Sequence, residues 1–348
     1  MKEYKMWIAG KWVDAESGKK YPVFNPATEE VIAELPLGGK VEVDKAVAAA
    51  KKAFPAWSKK SQAERSRIMG RIAAAIRDNA QELGRLELID HGFPLKLSNE
   101  LAFGTANSFD WVAQAAGSMM TGDLVPTDSN ALAYVKREPI GVIAIITPWN
   151  FPLMMITDKL SAVLAVGNTC VIKPPSIDSL SAIKLAEILE NLDIPQGVVN
   201  VITGPGGTVG EALASHPDIS MVAFTGSCEV GKRIMELSSQ TVKRVQLELG
   251  GKNPVIILDD ANVDMAVGSG VFGQIFNCGQ VCGSPGRFYV HEKVYDQFVE
   301  KFVAGMKKIV VGDPTDEKTQ MGPVVSSEHR AHIEGFIKSG IDEGAKLV

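Results

Sequence analysis

From Gly141 onward, apolar residues come in short unbroken runs: Val142–Ile146, Thr169–Ile172, Val198–Ile202, Met221–Phe224 and Val245–Leu247. A run without polar alternation suits a parallel strand covered on both faces. Between the runs, Ser179 to Leu189 and Glu229 to Leu237 carry helical spacing. This alternation predicts right-handed βαβ units and an α/β fold with an open, Rossmann-like doubly wound parallel sheet. Ligands of such sheets sit beyond the carboxyl ends of the strands, so the loops after these runs are where chemistry is expected.

Upstream the period differs. Trp7 to Phe24 roughly alternates apolar and polar positions around Gly10-Lys11, which suggests a hairpin, and a turn at Asn25-Pro26-Ala27-Thr28 leads into a strand at Val31-Ile32-Ala33. A helix is expected from Asp44, as N-cap, to Phe54. In the next, Ile68, Ile72 and Ile76 form one apolar face and leave Arg65, Arg71 and Arg77 to solvent. A third helical region spans roughly Asn99 to Met119. Ala131–Val135, between the Pro126 turn and Arg137-Glu138-Pro139, is one arm of a β-ribbon, either a self-contained surface hairpin or a pairing arm. Downstream, a helix after Asn262, a strand near Phe288 and a helix over Lys293–Lys307 are expected, and Gly344–Val348 has the pattern of a strand beginning.

At 348 residues the chain is long enough for two domains, each with its own core. A net charge of -5, with Lys and Arg spread among Asp and Glu, argues against nucleic acid or an anionic membrane as main partner. No segment has the length of a membrane span or the apolar core of a signal peptide. The 4 cysteines follow no disulfide-scaffold pattern and fit a reducing compartment, so the expected location is cytoplasmic.

Candidate chemistry centres on Phe276-Asn277-Cys278-Gly279-Gln280-Val281-Cys282, where a thiol among glycines can be approached by a substrate. A buried structural cysteine is the alternative. A metal site is set aside, because no second cysteine pair follows at zinc-site spacing and His291 stands outside any such pattern. In Thr147-Pro148-Trp149-Asn150-Phe151-Pro152 the prolines stiffen a turn, so the Asn150 amide either stabilises an oxyanion or satisfies the turn's backbone. Lys173, leaving a strand before Pro174-Pro175-Ser176, reaches a ribose or phosphate, or is a solvated lysine. Gly204–Gly210 reads as a helix-entry loop, with Gly206 and Gly210 as candidate cofactor contacts. Gly226–Lys232 is close to a P-loop, but Arg233 stands where Ser or Thr would hold magnesium, which disfavours the rival reading of a nucleotide hydrolase. Phe224-Thr225-Gly226-Ser227 instead delivers a helix N-terminus to a pyrophosphate, with Cys228 as packing. Glu248, between Leu247 and Leu249, is a general base or an ion-paired strand-end glutamate.

The motifs NPATEEVIAELP, PWNFP, KPP, FTGS, ELGGKNP and FNCGQVC, in this order, resemble those of the aldehyde dehydrogenase superfamily, NAD(P)-dependent and hydrolytic. The resemblance implies a thiohemiacetal on Cys282, not on Cys278, with its oxyanion held by Asn150, then a thioester hydrolysed with Glu248 as base. It also implies Lys159 as a proton relay. Expected cofactor contacts are Ile146, Thr147, Pro148, Trp149, Lys173, Ser176, Gly206, Gly210, Phe224, Thr225, Gly226, Ser227, Glu248, Leu249 and Gly250. Ser176 stands where NAD-preferring relatives often carry Glu, so the cofactor is NAD or NADP, with NADP permitted. Asp158 replaces a common aromatic and marks a polar or cationic aldehyde, or is an ordinary solvated helical residue. The implied organisation is a dinucleotide-binding domain over 1–120 and 140–250, an oligomerisation β-ribbon over 121–139, and the amino-terminal part of an α/β catalytic domain over 251–348. A homodimer or homotetramer is expected at full family length. The family's later Glu-x-Phe-Gly-Pro motif is not found, so the expectation is a carboxy-terminally truncated member; the alternative is a non-catalytic homologue that binds dinucleotide or a partner.

Overall fold

The computed structural model describes residues 2–128 and 130–348. The amino-terminal region supplies strands β1 (Lys2–Glu3), β2 (Met6–Ile8), β3 (Lys11–Val13), β4 (Lys20–Phe24) and β5 (Val31–Pro36). Helices α1 (Lys40–Ser58), α2 (Gln62–Asp78), α3 (Ala80–His91), α4 (Leu95–Gly104) and α5 (Ala106–Met119) follow, then the ribbon β6 (Asp123–Val125) and β7 (Ala133–Val135). Next come β8 (Val142–Ile146), α6 (Pro152–Ala165), β9 (Thr169–Lys173), α7 (Leu180–Glu190), β10 (Val199–Val201), α8 (Glu211–Ser215), β11 (Met221–Gly226), α9 (Cys228–Ser239) and β12 (Arg244–Leu249). The chain goes on through β13 (Asn253–Ile257), α10 (Val263–Ile275), β14 (Pro285–Val290), α11 (Glu292–Met306) and α12 (Ser327–Asp342).

Seven strands form the main sheet in the order β12-β11-β8-β9-β10-β2-β3. From β12 to β10 all neighbours are parallel, as the unbroken apolar runs predict. Successive residues of β8 face opposite layers: Ile143 and Ile145 pack with Ile72, Leu153 and Leu185, whereas Val142, Ala144 and Ile146 pack with Val43, Leu213 and Ile234. That double covering is the doubly wound arrangement. The amino-terminal hairpin β2–β3 is not free-standing, because β2 adds antiparallel to β10 and extends the sheet. From β8 the strand order runs through β9 and β10 to one side and through β11 and β12 to the other. The crevice beside β8 is therefore the place for a ligand.

Four expectations need correction. Helix α1 starts at Lys40 with Gly39 as N-cap, not at Asp44: the Glu42 carboxylate accepts from the Gly39 N–H at 2.8 Å, and Asp44 pairs with Lys40 at 2.6 Å. Arg65 is buried, because its guanidinium donates to the carbonyls of Ala165 and Lys60 and to the Gln62 side chain, joining α2 to the end of α6. Helix α3 was absent from the sequence pattern, although its Gly92 cap is left-handed at φ 91, as a helix end prefers. Residues 344–348 form no strand; Ala345 N–H returns to Gly340 O and closes the end of α12, leaving Leu347 and Val348 exposed.

The ribbon β6–β7 pairs antiparallel and exposes Leu124 and Tyr134; Ser129, within the expected arm, lies outside the described residues. After β12 the chain leaves the main sheet at Gly250-Gly251-Lys252, and among the described residues β13 pairs with β14 alone. A small cluster of Ile257, Val263 and Phe298 sits beneath that pair.

Candidate active site

The first cleft lies at the carboxyl ends of β8, β9 and β11 and has a volume of about 470 Å³. The 470 Å³ cleft is lined by Ile146, Thr147, Pro148 and Trp149 from the β8 loop, and by Lys173 and Ser176 after β9. Gly206 and Gly210 line it from the entry to α8, and Phe224, Thr225, Gly226 and Ser227 from the β11–α9 junction. Three expected cofactor contacts, Glu248, Leu249 and Gly250, lie outside it.

The local chemistry of this cleft suits a dinucleotide. Ser227 caps α9, its Oγ accepting from Val230 N–H at 3.2 Å, so the helix N-terminus and its partial positive charge point into the space. Gly226 must be glycine, since a Cβ there would sit 2.4 Å from the Phe224 ring. An added Cβ at Gly206 or Gly207 meets nothing within 4 Å, so backbone there lies open to a ligand. Among the described residues the hydroxyls of Thr147 and Thr225 are buried without a hydrogen-bond partner, as expected of groups waiting on one. Lys173 is buried with its Nζ donating to Pro174 O at 2.7 Å, and desolvation pushes its pKa down to about 8. Ser176 Oγ donates to Gly204 O at 2.9 Å.

A second cleft of about 560 Å³ is lined by Asp158 and Lys159 from α6, Thr225, Glu248 and Cys282. Thr225 belongs to both clefts and is paired with Glu248 across the β11–β12 ladder. Burial lowers the Lys159 pKa against the opposing charge of Glu248. Glu248 is exposed, without the apolar enclosure that its leucine neighbours suggested. Asp158 is exposed and accepts from the Ser108 hydroxyl.

The thiol loop separates its two cysteines. Cys278 is half-buried, its thiol donates to Gly322 O at 3.2 Å, and burial pushes its pKa up to about 11. Cys282 is exposed in the second cleft, and its carbonyl accepts from Asn253 Nδ2 at 2.7 Å. Cys228, expected as packing, is exposed at the start of α9, where its thiol donates to Gly250 O at 3.7 Å. Asn150 lines neither cleft but joins the thiol loop: its Nδ2 donates to Gln280 O at 2.8 Å, and its carbonyl accepts from Asn277 Nδ2 at 2.6 Å. Asn277 and Cys278 are both left-handed, at φ 49 and 56, a conformation that costs a residue with a β-carbon about 1–2 kcal/mol.

A buried group around α3 escaped the sequence pattern. Glu87 Oε1 accepts from Leu153 N–H at 3.0 Å and Asp90 Oδ2 from Leu180 N–H at 2.8 Å, so two carboxyls hold the starts of α6 and α7. Burial pushes Glu87 up to about 7 and raises Asp90 and Asp178 well above the ordinary carboxyl range, while it lowers His91. Glu87 and His91 are one helical turn apart, a signal that was readable only once α3 was known to be a helix. Among the described residues no group of three or more His, Cys, Asp or Glu is placed to hold a metal, and no helix is long and apolar enough to cross a membrane.

A cleft at a sheet switch point with a helix N-terminus in its wall, beside a second cleft with an exposed thiol, suits an oxidoreductase that uses a dinucleotide. The model of the aldehyde dehydrogenase family matches residues 12–348, and the chain belongs to that family of NAD(P)-dependent enzymes. It is 40% identical over 348 residues to betaine aldehyde dehydrogenase of Bacillus subtilis, covering 98% of this chain and 70% of that protein. It is 42% identical to retinaldehyde dehydrogenase 3 of Homo sapiens, covering 99% and 68%. A solved structure of 3,6-anhydro-L-galactose dehydrogenase in complex with NAP superposes with a TM-score of 0.96 at 36% identity, covering 100% of this chain and 73% of that one.

Proposed function

We propose that this chain carries the machinery for oxidising an aldehyde to its carboxylic acid, with Cys282 as nucleophile and NAD or NADP as cofactor. The observation that supports this most is the shared cleft: the exposed Cys282 thiol, Glu248 and Lys159 line one space whose Thr225 wall also bounds the dinucleotide cleft. Thiolate attack on the carbonyl carbon forms a tetrahedral thiohemiacetal and puts negative charge on its oxygen. The second Asn150 amide hydrogen, the first being donated to Gln280 O, serves that oxyanion together with the Cys282 backbone N–H. One such donor is worth about 3 kcal/mol in the transition state. Bound NAD(P) supplies the acceptor for the hydride, which leaves a thioester on Cys282. Glu248 then takes a proton from water as the water attacks the thioester, releasing the acid and restoring the thiolate; Lys159 relays the proton onward.

Ile146–Trp149, Lys173, Gly206, Gly210 and Phe224–Ser227 hold the dinucleotide, and Glu248, Leu249 and Gly250 approach its nicotinamide end. Ser176 places no carboxylate against a 2'-phosphate, so NADP is accepted as well as NAD. Asp158 in the thiol cleft favours a polar or cationic aldehyde. The free state of all four cysteines fits a cytoplasmic location, and the exposed β6–β7 ribbon is the arm that pairs subunits into a homodimer or homotetramer. The test is NAD and NADP reduction with aliphatic, aromatic and amino aldehydes, beside Cys282→Ser. Turnover that vanishes in Cys282→Ser supports the reading. Dinucleotide binding with no turnover of any aldehyde would favour the non-catalytic alternative.

A further inference from the structure

The buried group at the end of α3 takes part in none of the steps above, yet it reaches the thiol loop. His91 is 1% exposed; its Nδ1 lies 2.7 Å from Asp178 Oδ2 and its Nε2 lies 2.8 Å from Asn277 Oδ1. The orientation of the Asn277 amide follows from its other neighbours. Its Nδ2 is 2.6 Å from Asn150 O and 3.4 Å from Gln280 O, and both of these atoms only accept. Turning the amide over would set its oxygen against two carbonyl oxygens. Oδ1 therefore faces His91, and also accepts from Gln280 Nε2 at 3.2 Å, so His91 Nε2 must carry a hydrogen and donate it. The remaining nitrogen faces a carboxyl, and one proton lies between them. Whether that proton sits on Asp178 or on Nδ1, the hydrogen toward Asn277 is the same. Burial disfavours charge on both partners, which places the proton on Asp178 beside a neutral imidazole.

We infer that His91 is a positioning residue for the thiol loop: through the Asn277 amide it holds the Asn150 peptide and the left-handed turn before Cys282, and Asp178 sets its tautomer. The inference rests on the roles given above to Asn150 and Cys282. Asn277 and Cys278 keep their left-handed backbone because the Asn277 side chain is held on both sides. Asn150 moves with them, since its amide and that of Asn277 share the carbonyl of Gln280.

The test compares His91→Leu, His91→Gln, Asp178→Leu and Asp178→Asn in the whole chain. The readouts are the rate of Cys282 alkylation by iodoacetamide, located by peptide mass spectrometry, and backbone hydrogen exchange in residues 276–282 against that in β8 and β9. His91→Leu should change alkylation and speed loop exchange by about tenfold, the scale of one lost buried hydrogen bond, with strand exchange unaltered. His91→Gln, whose amide can still donate to Asn277, should recover most of the effect. Asp178→Asn still donates to Nδ1 and should stay near the unchanged protein, whereas Asp178→Leu should follow His91→Leu. If His91→Leu fails to fold, the two Asp178 variants carry the comparison. The inference is overturned if loop values stay within about twofold in the leucine variants, if strand exchange rises equally, or if the polar variants are no better than the leucine ones. Because neither readout needs turnover, loss of the proposed reaction in all proteins would sink the functional reading and leave the positioning result standing.

Discussion

The strands β8 and β13 have equal length and both end in Ile-Ile, Val-Ile-Ala-Ile-Ile against Asn-Pro-Val-Ile-Ile, and their surroundings differ. Every residue of β8 is buried, whereas in β13 only Ile257 is, and Ile256 remains 69% exposed. The cause is the number of neighbours. β8 lies between β9 and β11 and has helices over both faces, while β13, among the described residues, pairs with β14 and packs Ile257 against Val263 and Phe298. The helices repeat the contrast: α7 buries eight residues, from Leu180 to Leu189, and α12 buries none. An apolar run thus specifies that a strand will form, and its partners decide how much that strand contributes.

The comparison can be broken most directly by truncating equivalent side chains. Ile145→Ala, in the centre of the sheet, should cost about 2–5 kcal/mol in urea unfolding, and Ile256→Ala no more than about 0.5. Equal costs would show that the second pair is covered as fully as the first. The two halves meet at Asn150, so Asn150→Ala should lower turnover by about 10²–10³ while leaving dinucleotide affinity unchanged. A fall confined to affinity would move Asn150 into the cofactor cleft.

The pH dependence sharpens the same contrast, because raised carboxyls occur in the well-covered half. Glu87 has its pKa pushed from an ordinary carboxyl value up to about 7, so between those values the folded chain holds a proton that the unfolded chain has lost. Stability attributable to Glu87 should therefore fall as pH rises from about 4.5 to 7, by up to roughly 3 kcal/mol. Glu87→Gln should flatten that slope, and an unchanged slope in urea titrations at pH 5, 6 and 7 would exclude it. The helix caps add a modest effect: Ser227→Ala should cost about 1 kcal/mol in stability and weaken dinucleotide binding, whereas Ser326→Ala, capping the exposed α12, should leave binding alone.

The grouping of the loops was legible beforehand. The prolines of PWNFP, Lys173 at a strand end, and FTGS opening a helix are local signals, and the twelve residues from Ile146 to Ser227 named from the family resemblance line one cleft. The two cysteines differ in their surroundings, with Cys282 exposed and Cys278 packed against Gly322. Other features could not be read. Arg65 looked like a solvated arginine because its partners, Lys60 O and Ala165 O, are backbone atoms and leave no side-chain pattern. Glu248 stands between two leucines in sequence, but alternate residues of a strand face opposite sides, and Glu248 is exposed in the thiol cleft.

The sequence by itself determined the order of strands from β8 to β12, the doubly wound sheet they form and the loops after them, because apolar period and turn residues act over a few neighbouring positions. Tertiary structure alone decided that Glu87, Asp90, His91 and Asp178 come together in the interior, and that His91 meets Asn277 across 186 residues of chain. Burial and hydrogen-bond direction are properties of what surrounds a group in space, and those surroundings come from segments remote in the chain.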